Sequence, residues 1–98
     1  MSPTYERAST FARDWAKLTP QQRRRFLEAV AAMVADLRAG RPFRPGLRVK
    51  GVEDAPGVFE MTWAPDGRAT FEYGREQRPG EPHIVWRRVG THDVFRRP

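Results

Sequence analysis

Apolar and polar residues change period twice along the chain, and the changes divide it into elements. A short stretch from Thr4 to Ala8 carries Tyr5 beside Glu6 and Arg7 and suits an edge strand. Phe11, Trp15 and Leu18 then recur at i, i+4 and i+7, which predicts a short first helix capped by Ser9 or Thr10. Thr19-Pro20 with Gln22 three residues after Thr19 reads as a capping box with proline at the first helical position. The helix that follows sets Phe26, Leu27, Val30, Met33, Val34 and Leu37 on one face, with Arg24 and Glu28 free to pair on the other. Gly40 and Pro42 stop it. So tight a connection predicts an antiparallel helical hairpin.

From Val58 the period falls to two. Val58–Trp63 and Arg68–Tyr73 both alternate, and Pro65-Asp66-Gly67 between them predicts a hairpin with a three-residue turn and Gly67 in the left-handed region. That register sets Phe59, Met61 and Trp63 beside Tyr73, Phe71 and Ala69, and it puts Glu60 opposite Glu72. Ile84–Val89 reads as a last strand ending at Gly90, with too few residues beyond it for a substantial third helix. Arg41 to Pro56 is a basic loop in which Leu47 and Val49 can grip the core, turning Arg48 and Lys50 to one side. The expected fold is α+β in a single domain over residues 1–98. Two N-terminal helices pack on one face of a small, mainly antiparallel twisted sheet, leaving the other face polar.

Charge sharpens this picture. The formal net charge is +6, and 16 of the 18 bases are arginine. A GC-rich codon bias accounts for arginine over lysine, but not for the excess of bases over acids. A net positive small domain favours polyanionic partners, either nucleic acid or an acidic protein. With no cysteine there is no disulfide framework and no thiolate metal site. No apolar run approaches the ~20 residues of a membrane span, and no signal-peptide core opens the chain, so the expected setting is cytoplasmic, away from membranes.

Little of the remaining chemistry fits a standard site. His83 and His92 lie at opposite ends of one strand, with no metal-binding spacing. Neither Ser2 nor Ser9 sits in a nucleophile motif, and no glycine-rich loop precedes a helix. What is left is a positive face. Arg68 opens the strand beside the one bearing Arg87 and Arg88; Arg44, Arg48 and Lys50 arrive from the loop, and His92 and Phe95 from the tail. These types suit metal-free RNA cleavage by the substrate's own 2′-hydroxyl. Cations stabilise the phosphorane, a histidine (reference pKa ~6.5) moves a proton, and an aromatic stacks on a base. The bland alternatives are a solvated basic loop and a strand-end histidine bonded to Asp93 or to backbone.

The order of short motifs resembles one known family. Leu47 to Gly51 (Leu-Arg-Val-Lys-Gly), Gly57 to Glu60, Gly67 to Phe71 and Arg88 to His92 (Arg-Val-Gly-Thr-His) follow two helices as they do in the RelE/ParE superfamily of bacterial toxins. The resemblance implies the toxin half of a type II toxin–antitoxin system, in the RelE branch a ribosome-dependent mRNA endoribonuclease acting in the A site without cofactor or metal. By position, Arg68 resembles the family's phosphate-binding arginine, His92 the proton-transferring histidine of YafQ-type toxins, and Phe95 their terminal aromatic. Lys50 joins Arg68 and His92 as an expected catalytic residue, and Arg44, Arg48, Arg87, Arg88 and Phe95 are expected to bind RNA. RelE carries lysines on the strand where Glu60 and Thr62 stand here. The implied partners are a cognate antitoxin lying over the basic face or a helix groove, the ribosome with its mRNA, and DNA only through the antitoxin complex. Two readings stay open beside this one: a ParE-like gyrase inhibitor without nuclease chemistry, and an inactive binding protein on the same fold.

Overall fold

A computed structural model describes residues 2–98. Strand β1 (Thr4–Arg7) leads into α1 (Ser9–Lys17) and α2 (Pro20–Arg38). A 3-10 turn (Pro45–Leu47) and a two-residue strand β2 (Lys50–Gly51) precede the hairpin β3 (Val58–Ala64) and β4 (Gly67–Tyr73). Strand β5 (His83–Gly90) and a 3-10 turn (His92–Arg96) complete the chain. The sheet order is β1-β5-β4-β3-β2, and every pairing is antiparallel except β1 with β5. The expected α+β arrangement of two helices on a mainly antiparallel sheet is what the chain adopts.

Helix α2 starts as its sequence predicts: Thr19 accepts from the Gln22 amide at 3.1 Å, and Gln22 reaches back to the Thr19 amide at 2.8 Å. It ends at Arg38, and Gly40 takes a left-handed φ of 66°. Helix α1 differs from expectation, because Ala8 is its N-cap and neither Ser9 nor Thr10 caps it. The Thr10 hydroxyl donates instead to the Arg87 carbonyl at 2.7 Å, tying α1 to β5. The Arg24–Glu28 pair is not formed among the described residues.

The core is aromatic. Phe26 lies within 6.5 Å, centroid to centroid, of Phe11, Trp15, Trp63 and Trp86, so one ring of α2 joins α1, β3 and β5. Ala29 and Met33 are buried on the same face, whereas Leu27, expected there, is 54% exposed. Leu27 is one residue round from Phe26, about 100° away on a helix, and falls on the rim.

A buried carboxylate shares the apolar face. Asp36 is 1% exposed and accepts from Arg41 Nε at 2.8 Å, Arg44 Nε at 3.0 Å and the Arg44 amide at 2.9 Å. The Arg44 guanidinium thus holds the loop after α2 to the helix, while its side chain stays about half exposed. Bonds from Arg44, above all, hold the Asp36 carboxyl well below the usual carboxylate range. A depressed folded value means that the clamp is at full strength above the unfolded value of ~3.9 and weakens as pH falls below it. Asp36→Asn should therefore lower the melting temperature by several degrees at pH 7. The gap from the unsubstituted protein should narrow below about pH 4; thermal melts across that range check both.

Candidate active site

The polar face of the sheet is set by three strands and two irregularities. Strands β3 and β4 pair Phe59 with Phe71, Met61 with Ala69, Glu60 with Thr70 and Thr62 with Arg68. Each side chain keeps its expected face, but the pairing is shifted by two residues from the expected one. Glu60 and Glu72 are therefore not opposed. The shift follows from the turn. Ala64 pairs with Gly67, so only Pro65 and Asp66 form the loop, and a bulge at Trp63 absorbs the extra residue.

Gly67 is not left-handed either. It is glycine for a different reason: a Cβ there would come within 2.6 Å of the Trp63 ring. The Trp63 indole also donates to the Arg68 carbonyl at 3.0 Å, and Arg68 Nη1 donates to the Gly67, Ala64 and Pro65 carbonyls at 2.9, 3.3 and 3.3 Å. The hairpin tip is thus braced from both sides.

The second irregularity lies on β5. Thr70 pairs with Arg88 but Phe71 pairs with Trp86, so Arg87 is the extra residue of a bulge. Strict alternation would send Arg87 and Arg88 to opposite faces; the bulge puts both on the polar side. Arg87 meets Glu72 at 3.2 Å, and Arg88 meets Asp14 of α1 at 2.6 Å. Asp14 also accepts the Val89 amide at 3.1 Å and raises the proton affinity of Arg88 further.

Arg68 pairs across the ladder with Gly90, so the hairpin tip lies beside the turn that leaves β5. There His92 Nδ1 is 2.9 Å from Asp66 Oδ1, and the Phe95 ring meets the imidazole edge-on with centroids 5.7 Å apart. An ionised carboxylate only accepts, so the contact places the proton on Nδ1 and leaves Nε2 as the basic nitrogen. Nε2 has no protein partner among the described residues. Arg68 keeps Nε and Nη2 without a protein acceptor among the described residues. Both His92 and Asp66 are more than half exposed. The imidazole, the Arg68 guanidinium and the Phe95 ring therefore share one solvent-facing corner of the sheet.

Of the residues expected at the site, the structure brings Arg68, His92 and Phe95 together and leaves others apart. Lys50 is in the row Lys50–Glu60–Thr70–Arg88, three strand steps from β5, on the order of 14 Å at ~4.8 Å per step, and it faces Glu60 at 3.9 Å. Arg48 is exposed and left-handed at φ 48°, closing the 3-10 turn. Asp66 and Asp14 had no role in the expectation. Asp66 reads from sequence as a turn residue, and only the β4–β5 register shows what it faces.

No protein-family model matches this chain, and no curated protein sequence matches it. Its fold has counterparts among solved structures: it is the fold of the RelE/YafQ-like toxins. A chain of the E. coli DinJ–YafQ toxin–antitoxin complex superposes with a TM-score of 0.64 at 14% identity, covering 96% of this chain and 97% of that one. A chain of the RelB–RelE antitoxin–toxin complex from Methanococcus jannaschii gives 0.60 at 14% identity over 92% and 93%. A chain of the toxin–antitoxin complex RelBE2 from Mycobacterium tuberculosis gives 0.55 at 24% identity over 94% and 100%.

The brace at the hairpin tip is open to test. Gly67→Ala forces the Trp63 ring to move and should cost ~1–3 kcal/mol of stability by denaturant unfolding. It should also shift the His92 ring resonances, because Asp66 moves with the tip. An unchanged His92 environment would show that Gly67 does not position Asp66.

Proposed function

We propose that this chain is the toxin component of a type II toxin–antitoxin system and that it cleaves mRNA in the ribosomal A site without a metal. The observation that carries this reading is the meeting of Asp66 and Arg68 from the hairpin tip with His92 and Phe95 beyond β5. The shared fold supports it, since chains of that fold stand in complexes of YafQ with DinJ and of RelE with RelB.

In this reading His92 Nε2 takes the proton of an RNA 2′-hydroxyl while the 2′ oxygen attacks the adjacent phosphorus. The bond from phosphorus to the 5′ oxygen breaks, that oxygen takes a proton from water, and a 2′,3′-cyclic phosphate remains. Asp66 holds the imidazole in the tautomer that leaves Nε2 basic. The free Arg68 nitrogens stabilise charge on the phosphorane oxygens, and Phe95 supplies a stacking face for a base. Lys50 and Arg48, exposed at the far edge, contact flanking phosphates or ribosomal RNA rather than the scissile group.

An antitoxin has a surface to occupy. A groove of about 230 Å³ on the helix side of the sheet is lined by Phe11, Trp15, Leu27, Val30, Ile84 and Trp86. An acidic amphipathic segment suits it, with apolar side chains in the groove and carboxylates toward a chain of net charge +6.

The test is to add purified protein to translating ribosomes and map the 5′ ends of the mRNA. The unsubstituted protein should cut at the A site. His92→Ala should lose ~10²–10⁴-fold in rate while melting at the same temperature, because the side chain is exposed. Equal cleavage by the variant would remove His92 from the chemistry. Intact mRNA together with DNA breaks on induction would favour gyrase as the target.

A further inference from the structure

We propose that Val94, seated on Gly90, is the residue that positions His92 and Phe95 for the reaction. The proposal deepens the nuclease reading of this corner and rests on it for the effect on rate. A 3-10 helix has three residues per turn, so side chains three apart lie over one another. The turn after β5 therefore has three sides. His92 and Phe95 share the side toward Asp66, where their rings meet edge-on. Asp93 and Arg96 share the side toward solvent, 3.9 Å apart. Val94 takes the third side, toward the sheet, and is 3% exposed while His92, Asp93 and Arg96 are open.

Fixing one side of the turn fixes the other two. Successive sides are about 120° apart, so a turn rolled about its own axis would carry His92 off Asp66. The seat that prevents this is specific. Gly90 follows the core-facing Val89, lies on the polar face and pairs with Arg68. A Cβ at Gly90 would come within 3.2 Å of Val94 Cγ1, so the missing side chain is what lets Val94 reach down to the strand. The Val94 amide donates to the Thr91 carbonyl at 3.1 Å and closes the turn at that depth. One position thus serves both halves of the site. Gly90 aligns Arg68 across the ladder, and it receives the residue that orients His92.

The experiment reads the full chain in two ways, by NMR of the His92 ring nitrogens and by cleavage on translating ribosomes. In the unsubstituted protein the ring should show one tautomer, protonated at Nδ1 toward Asp66. Val94→Ala takes the γ-methyls out of the seat and should give a mixture of tautomers, with kcat lower by about 10–10²-fold and KM little changed. Val94→Ile keeps the branched carbon that fills the seat and should restore both. Gly90→Ala pushes on Val94 from the strand side and should move the same His92 signals; it carries the test if Val94→Ala does not fold. A single tautomer or an unchanged kcat in folded Val94→Ala, or unmoved His92 signals in Gly90→Ala, would overturn the proposal and leave Val94 as packing alone. If the tautomers respond as expected but the unsubstituted protein leaves mRNA intact, the positioning stands and the nuclease reading fails.

Discussion

The pairing of β4 with β5 is the constraint on which the rest of the polar face depends. Arg68 opposite Gly90 brings the hairpin tip to the place where the chain leaves the sheet, and only then does Asp66 reach His92. One extra residue at Arg87 then turns two arginines to the same side. Side chains on a strand change face at every residue, so a slip by one anywhere in this ladder would scatter the set. The register is fixed by packing on the opposite face, where Phe71 meets Trp86 at a tilt and Trp86 meets Phe26 edge-on.

The arginine count overstates the free positive charge. Arg44 and Arg41 hold Asp36, Arg88 holds Asp14, Arg87 meets Glu72, and Arg23 caps the Trp15 carbonyl while lying over its ring. These pairs fasten loop to helix, helix to strand and strand to strand. Arginine suits that work because its planar fork satisfies two acceptors in one geometry. A smaller set remains available to an anion, with Arg68 at its centre, and its position comes from the sheet rather than from the composition.

Local signals were readable in the sequence and relational ones were not. The capping box at Thr19, the stop at Gly40 and the alternation of β3 and β4 each depend on residues within a few positions, and the structure keeps them. The motif order pointed to Arg68, His92 and Phe95, which do converge. Other readings failed where a contact spans the chain. Thr10 looked like a cap but bonds across to the Arg87 carbonyl, 77 residues away. The hairpin pairing shifted because the bulge at Trp63 depends on how that ring packs over Gly67, which alternation does not encode. Asp66 was hidden for the same reason, since its partner lies 26 residues away.

The central claim is that the hairpin tip and the chain beyond β5 act as one unit through Asp66 and His92. A double-mutant cycle on single-turnover RNA cleavage tests it directly, with Asp66→Ala, His92→Ala and the double variant. If the two groups act together, Asp66→Ala slows cleavage when His92 is present and costs almost nothing further once His92 is gone. Losses that multiply in the double variant would show two independent residues, and the contact at the hairpin tip would then have no part in the chemistry.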